Sequence, residues 1–256
     1  MGIFSGKTGL VLGVANDRSI AWAMSEALVA EGAELGFSHL PGERSERRVR
    51  QLAEPHNAKL IMPLDVQKDE EIDAFFDKAK EIYGKIDFVI HSIAYAPTKE
   101  LQNPYYMISR EGWHMAMDIS AYSLLATTRA ALPLMPDGGS IVTLTYFGGE
   151  KVMPGYNVMG VCKAALEHTV RYLAWDLGEK NVRVNALSAG PMRTLSSAGI
   201  SDFDEMREHQ AQKSCLKRNV DPKELGSTGI YLLSDMSNGV TGETIHVDCG
   251  YNIVGL

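Results

Sequence analysis

The chain has 256 residues, 45% of them apolar and 22% charged, with a formal net charge of −7. That apolar share is enough to build a core, which excludes a disordered chain, and the acidic balance excludes a basic nucleic-acid-binding surface. The length fits one large domain or at most two small ones.

The N-terminal stretch MGIFSGKTGLVLG lacks a basic start, a long apolar run and a cleavage site, so no secretory signal is expected. TGLVLG (8–13) reads as a short buried strand, and SIAWAMSEALVAEG (19–32) as a helix with apolar residues at 20, 24, 27 and 28. Gly13 in the connection allows close backbone approach, and Ser19, just before Ile20, is a good helix N-cap. The start of such a helix offers unpartnered N–H groups to a pyrophosphate. The usual run of three glycines is missing, so a plain turn and cap explains this segment equally well.

AELGFS (33–38) is the second strand, and it runs into Ser38-His39-Leu40-Pro41. A dinucleotide-binding sheet normally carries a ribose-binding carboxylate there, and none is present. Arg44, Arg47 and Arg48 follow on a basic helix. They clamp a 2′-phosphate or form a solvated face. AKLIMPLD (58–65) is the third strand, with Asp65 and Val66 at its end, before the helix DEEIDAFFDKAKEIYG (69–84). Asp65 reads as a cofactor contact or as a cap for that helix. KIDFVIHSIA (85–94) is the fourth strand; Ser92, Ile93 and Ala94 past its core would let a flat ligand lie on the backbone. Ligands bind at such strand C-terminal ends in open α/β sheets. His91 is read as a packed, hydrogen-bonded residue.

A long helical segment spans 109–135, and GGSIVTLTY (138–146) is the fifth strand. A helix starts near Tyr156, and NVRVNALSAG (181–190) and GETIHVDCG (242–250) are the last two strands. This alternation predicts an α/β fold: one Rossmann-like, doubly wound parallel sheet of about seven strands with helices on both faces, as a single domain over 1–256. No run of about 18 apolar residues is present, so no membrane span is expected. Cys162, Cys215 and Cys249 are far apart and lack metal-ligand spacing, which points to a reducing compartment and to no metal.

Tyr156 and Lys163 are seven residues apart, nearly two helical turns, so both project from one face. A tyrosine can donate to a developing oxyanion, and a nearby ammonium can hold ribose hydroxyls and favour the ionised phenol. The spacing alone equally fits a capping tyrosine and a solvated lysine.

Several motifs act together here: Gly13…Ser19-Ile20-Ala21, HSIAYAP, DISAYS, Tyr156-Asn-Val-Met-Gly-x-x-Lys163, RVNALSAGPMRT and TGETIHVDCG. Through them the sequence resembles, over essentially its whole length, the bacterial enoyl-acyl-carrier-protein reductases of the short-chain dehydrogenase/reductase superfamily. Carbonyl-reducing members of that superfamily space tyrosine and lysine by four. The enoyl reductases space them by seven and place a second tyrosine ten residues upstream, which is Tyr146 here.

The resemblance implies reduction of trans-2-enoyl thioesters by hydride transfer from NADH, the last step of the fatty-acid elongation cycle. It implies that Tyr156 donates to the thioester oxygen, that Lys163 binds the ribose, and that Tyr146 is auxiliary. Cofactor contacts are expected at Gly13, Ser19, Ile20 and Leu40, at Asp65 and Val66, and at Ser92, Ile93 and Ala94. The SAGPMRT segment adds Ala189, Pro191, Met192 and Thr194. Ala96, Tyr146, Tyr156, Met159, Met192, Phe203 and Met206 are expected around the acyl chain; the methionines and the phenylalanine also suit ordinary core packing. The stretch 195–213 is expected to be a mobile lid, with Gly199 as a flexible point.

Leu40-Pro41 lacks the basic residues that relatives favouring NADPH carry after this strand, so NADH is expected, with NADPH possible. The resemblance further implies a cytoplasmic bacterial homotetramer, with contacts through 109–135 and 156–178, acting on a thioester of acyl carrier protein, with no nucleic acid and no membrane. The lid stretch GISDFDEMREHQ is acidic, which repels an acidic carrier. Carrier docking is therefore expected to shift toward cations at Arg193, Arg207, Lys213, Lys217 and Arg218. A carbonyl reductase, an enoyl-CoA reductase and a nucleotide-sensing regulator remain the competing readings.

Overall fold

Strand β1 (Thr8–Leu12) shows how the sequence builds a two-sided core. Leu10, Val11 and Leu12 are all fully buried. Side chains alternate across a strand, so Leu10 and Leu12 join one apolar cluster while Val11 joins the other. A strand covered on both faces is the mark of a parallel sheet between helical layers.

In a computed structural model, which describes residues 2–194 and 203–255, β1 is followed by α1 (Ile20–Ala30), β2 (Glu34–His39), α2 (Glu43–Ala53), β3 (Ile61–Pro63), α3 (Asp69–Tyr83) and β4 (Phe88–His91). Then come α4 (Thr98–Gln102), α5 (Arg110–Met117), α6 (Ser123–Ala131), β5 (Gly139–Thr145), α7 (Asn157–Leu177), β6 (Val182–Ala189), α8 (Phe203–Lys213), α9 (Pro222–Leu233) and β7 (Thr244–Val247). The seven strands pair in the order β3-β2-β1-β4-β5-β6-β7, and every pairing is parallel. The expected doubly wound α/β sheet is therefore present. One face packs on α3, α6 and α7 through Phe75, Leu124, Leu166 and Val170. The other packs on α1 and α9 through Trp22, Met24, Leu28 and Leu232.

The helix ends follow their cap residues. Ser19 Oγ accepts from Trp22 N at 3.2 Å, and Asp221 closes a capping box with Glu224 at the start of α9. The long helical segment expected over 109–135 is present, and within it α5 passes through a π-helical turn, Asp118–Tyr122, before α6 begins. There Ser120 Oγ donates to Tyr95 O and accepts from Tyr95 N, each at 2.9 Å. Ser123 Oγ donates to Ile119 O and lies 2.9 Å from His91 Nε2. The widened turn thus ties the helix to the segment after β4.

Candidate active site

The chain leaves β1 toward β2 and β3, then crosses back to β4 on the other side of β1. The adjoining carboxyl ends of β1 and β4 form a topological switch point, where doubly wound sheets bind ligands. Gly13 follows β1, Leu40 follows β2, Asp65 and Val66 lie just past β3, and Ser92, Ile93 and Ala94 follow β4. Tyr146 follows β5, Ala189 ends β6, and Pro191, Met192 and Thr194 come next. All these candidates sit along one edge of the sheet.

The β1–α1 connection has the form of a phosphate cradle. Gly13 has φ +88°, and a Cβ there would lie 2.4 Å from Ser92 O, so only glycine lets the two strand ends meet. Ser38 Oγ accepts from Gly13 N at 3.1 Å and holds the turn. The first turn of α1 carries no acidic side chain, so its amide dipoles face the edge without a competing carboxylate. Ile20 opens this helix. A glycine turn and a helix start of this kind suit a phosphate group. Leu40 is 69% exposed along the same edge. Arg44 and Arg47 are exposed on α2 and Arg48 is half-buried. Asp65 is not the cap of α3, since that position is Lys68. Asp65 Oδ1 instead accepts from Gln67 N at 3.1 Å and closes the preceding turn. Val66 is buried in the core, and Ile93 packs against it.

Tyr156 occupies the N-cap position of α7 rather than its first turn. Its ring meets that of Tyr146 edge-on, with centroids 5.0 Å apart. The two rings converge because Gly148 lies beneath them; a Cβ there would sit 2.5 Å from the Tyr156 ring. Burial is the largest influence on Tyr156 and pushes its phenol above the ordinary value, so the hydroxyl stays protonated. Tyr146, Cys162 and Glu167 push it in the same direction as burial. Burial likewise raises Tyr146, with Gln210 opposing the shift.

Lys163 is 6% exposed, so the solvated-lysine reading fails. Its Nζ donates to Leu144 O at 2.8 Å. Burial lowers its pKa to about 8, with Cys162 and Glu167 pulling the other way. An ammonium has three donors, so two remain after Leu144. His91 bonds Thr143 Oγ1 and Ser123 Oγ, each at 2.9 Å. Burial and the Lys163 charge press its pKa to about 3, which keeps it a neutral packing residue.

The residues expected around the acyl chain are distributed unevenly. Met206 on α8 brings its sulfur to 3.7 Å from the Tyr146 hydroxyl, which donates to it. Phe203 is half-buried at the start of the same helix. Met159 is buried on α7 and takes a contact from Ser120 Oγ at 3.7 Å. Ala96 packs against the small cluster of Ala116, Val158 and Cys162. Met192 packs against the α1 and α9 face of the core. The first part of the expected lid, 195–202 with Gly199, lies outside the described residues.

Three features near the site had no reading from sequence. Thr145 Oγ1 donates to Glu167 Oε1 at 2.6 Å, and Glu167 is nearly buried one turn beyond Lys163. Asn157 adopts φ +39° and donates from Nδ2 to Leu101 O and Asn103 O, fixing the segment after α4. Gln210 is the one residue of α8 that is fully buried. The polar residue directly after Tyr156 was the only local signal for any of these.

The family model described as enoyl-(acyl carrier protein) reductase matches residues 13–252. A curated enoyl-[acyl-carrier-protein] reductase [NADH] from Synechocystis sp. is 50% identical over 254 residues, covering 98% of each chain. One from Rickettsia felis is also 50% identical, covering 99% of this chain and 97% of its own. A solved reductase from Anaplasma phagocytophilum, in complex with NAD, superposes with a TM-score of 0.95 at 48% identity, covering 100% of this chain and 97% of its own. The Bacillus cereus reductase, solved with NADP+ and an indole naphthyridinone, gives 0.97 at 48% identity over the full length of both. With its sheet, its switch point and this likeness along the whole sequence, the chain belongs to the enoyl-acyl-carrier-protein reductase family.

Proposed function

We propose that this chain is an NADH-dependent enoyl-acyl-carrier-protein reductase that converts trans-2-enoyl thioesters to acyl thioesters in fatty-acid elongation. The observation that carries the reading is the edge-on meeting of Tyr146 and Tyr156 just past β5, with the buried Lys163 anchored on Leu144 O of that strand. NADH, when bound, supplies the hydride that adds to C3 of the enoyl group. Charge then gathers on the thioester oxygen, and the neutral Tyr156 hydroxyl donates to it. C2 takes a proton to complete the saturated thioester. Lys163, anchored on Leu144 O, directs its remaining donors to ribose hydroxyls. Ser19, Asp65, Val66 and Ser92 to Ala94 complete the cofactor edge, and Ala189 to Thr194 close it from the β6 side. Met206 and Phe203 on α8 offer apolar surface to the acyl chain.

NADH is favoured over NADPH because Leu40-Pro41 places no cation directly after β2. An acidic carrier meets few unopposed cations on the lid side. Arg193 pairs with Asp204 at 2.8 Å, and Arg218 pairs with Glu224 at 2.6 Å. Among the described residues no carboxylate pairs with Arg207, Lys213 or Lys217, which supports docking of the carrier on that side. One assay tests both points: oxidation of NADH and, separately, of NADPH with crotonyl thioesters of carrier and of coenzyme A, at low and high salt, against acetoacetyl thioester. The reading expects turnover of the crotonyl substrates only, with a carrier rate that falls as salt rises. Preference for acetoacetyl thioester would replace it with carbonyl reduction.

The same reading makes the enzyme a cytoplasmic homotetramer. Its support is an apolar face on α7, where Tyr172 is 66% and Trp175 84% exposed, with Tyr122 and Leu125 exposed on the α5–α6 segment. An exposed tryptophan carries a large apolar area that a subunit contact would cover. Trp175→Glu is therefore expected to convert tetramer to smaller species in sedimentation velocity. A variant that remains fully tetrameric would exclude α7 from the interface.

A further inference from the structure

Helix α8 presents Phe203, Met206 and Gln210 on one face, at spacings of three and four residues. Two of the three are apolar, as a face that covers an acyl site should be. Gln210 is not, yet it is 3% exposed. Among the described residues neither its Nε2 nor its Oε1 has a hydrogen-bond partner. A buried amide left unpaired on both atoms destabilises the fold it sits in, and such orphaned groups belong to sites where a partner arrives in another state. The group beside it is Tyr146, whose hydroxyl donates to the Met206 sulfur, a weak acceptor, at 3.7 Å.

We propose that Gln210 is a positioning residue for enoyl reduction: with substrate bound, its amide nitrogen donates to the Tyr146 hydroxyl oxygen and turns the Tyr146 O–H from the Met206 sulfur toward the thioester. The inference rests on the placement of Tyr146 in the proposed site. The amide already lies close enough to the Tyr146 hydroxyl to favour its ionised form against the effect of burial, yet short of an aligned hydrogen bond. Such a role also explains why an amide stands at a position where leucine or methionine would pack without orphaned atoms.

The test uses the full-length enzyme and Gln210→Met, which keeps the length of the side chain and removes both polar atoms. With crotonyl thioester and NADH, kcat should fall about tenfold, the effect of one hydrogen bond realised in the reacting complex. The NADH Kd should stay unchanged, and Tm should hold or rise because orphaned polar atoms are gone. In a Tyr146→Phe background, Gln210→Met should add less than about a twofold further loss, because the two residues act as one unit. Gln210→Asn, with the amide retained on a shorter stem, should recover part of the rate. An equal loss in the Tyr146→Phe background, a full rate in Gln210→Met, or a fall in Tm that accounts for the lost rate would each overturn the proposal. Wild-type enzyme without turnover on enoyl thioesters would overturn the proposed function itself, and this inference with it.

Discussion

Tyr156→Phe is expected to lower kcat on a trans-2-enoyl thioester about 10²–10³-fold, the loss typical of a removed oxyanion donor. The physical reason lies in the enclosure of the phenol. Burial raises its pKa, so at neutral pH it is a protonated donor waiting for charge to form on the substrate. A donor in a dry site is worth most when charge develops next to it, which is in the transition state. The NADH Kd should change little, because the ring still packs against Tyr146 and the cofactor edge is intact. Stopped-flow reduction together with a fluorescence titration separates the two effects. A variant that loses cofactor affinity and keeps its kcat would reverse the assignment.

Lys163→Met is expected to weaken NADH binding about 10- to 100-fold, the range for hydrogen bonds from a charged group. The same residue gives binding a pH dependence. Burial lowers the ammonium pKa to about 8, so it is charged below that pH and neutral above. NADH affinity should therefore weaken as pH rises through about 8, and Lys163→Met should abolish that trend. The stability of the cofactor-free enzyme should run the opposite way. Its folded-state pKa lies below the value of 10.5 for the unfolded chain, so the unfolded state binds more protons between about 8 and 10.5. Stability from this group consequently rises across that window. Isothermal titration of NADH at several pH values checks the binding trend; a Kd independent of pH and of the substitution would remove Lys163 from the cofactor site.

The fold was legible because its signals are local. Short apolar runs such as TGLVLG and GSIVTLT alternate with amphipathic helices, and Ser19 and Gly13 punctuate the first turn as their chemistry requires. The pairing of strands and the shared carboxyl edge then follow from right-handed crossovers. The π-helical turn at Asp118–Tyr122 was not legible, because it depends on His91 and Tyr95, which are distant in sequence. Polar residues on inward faces were also missed. Glu167 and Gln210 drew no reading at all, since periodicity marks only apolar residues as inward-facing. Lys163 was ambiguous for the same reason and resolves only when Leu144 O is seen beneath it. Arg193 looked like a docking cation until Asp204, eleven positions later, was found to pair with it.

The central claim is reduction across the carbon–carbon double bond, with a proton delivered at C2. The most direct measurement uses crotonyl thioester, NADH deuterated at C4, and separately unlabelled NADH in D2O, with the product examined by mass spectrometry and NMR. The account predicts a butyryl thioester with cofactor deuterium at C3 and solvent deuterium at C2. Cofactor deuterium at C1 of an alcohol or aldehyde product, or at C2 of the acyl chain, would contradict it.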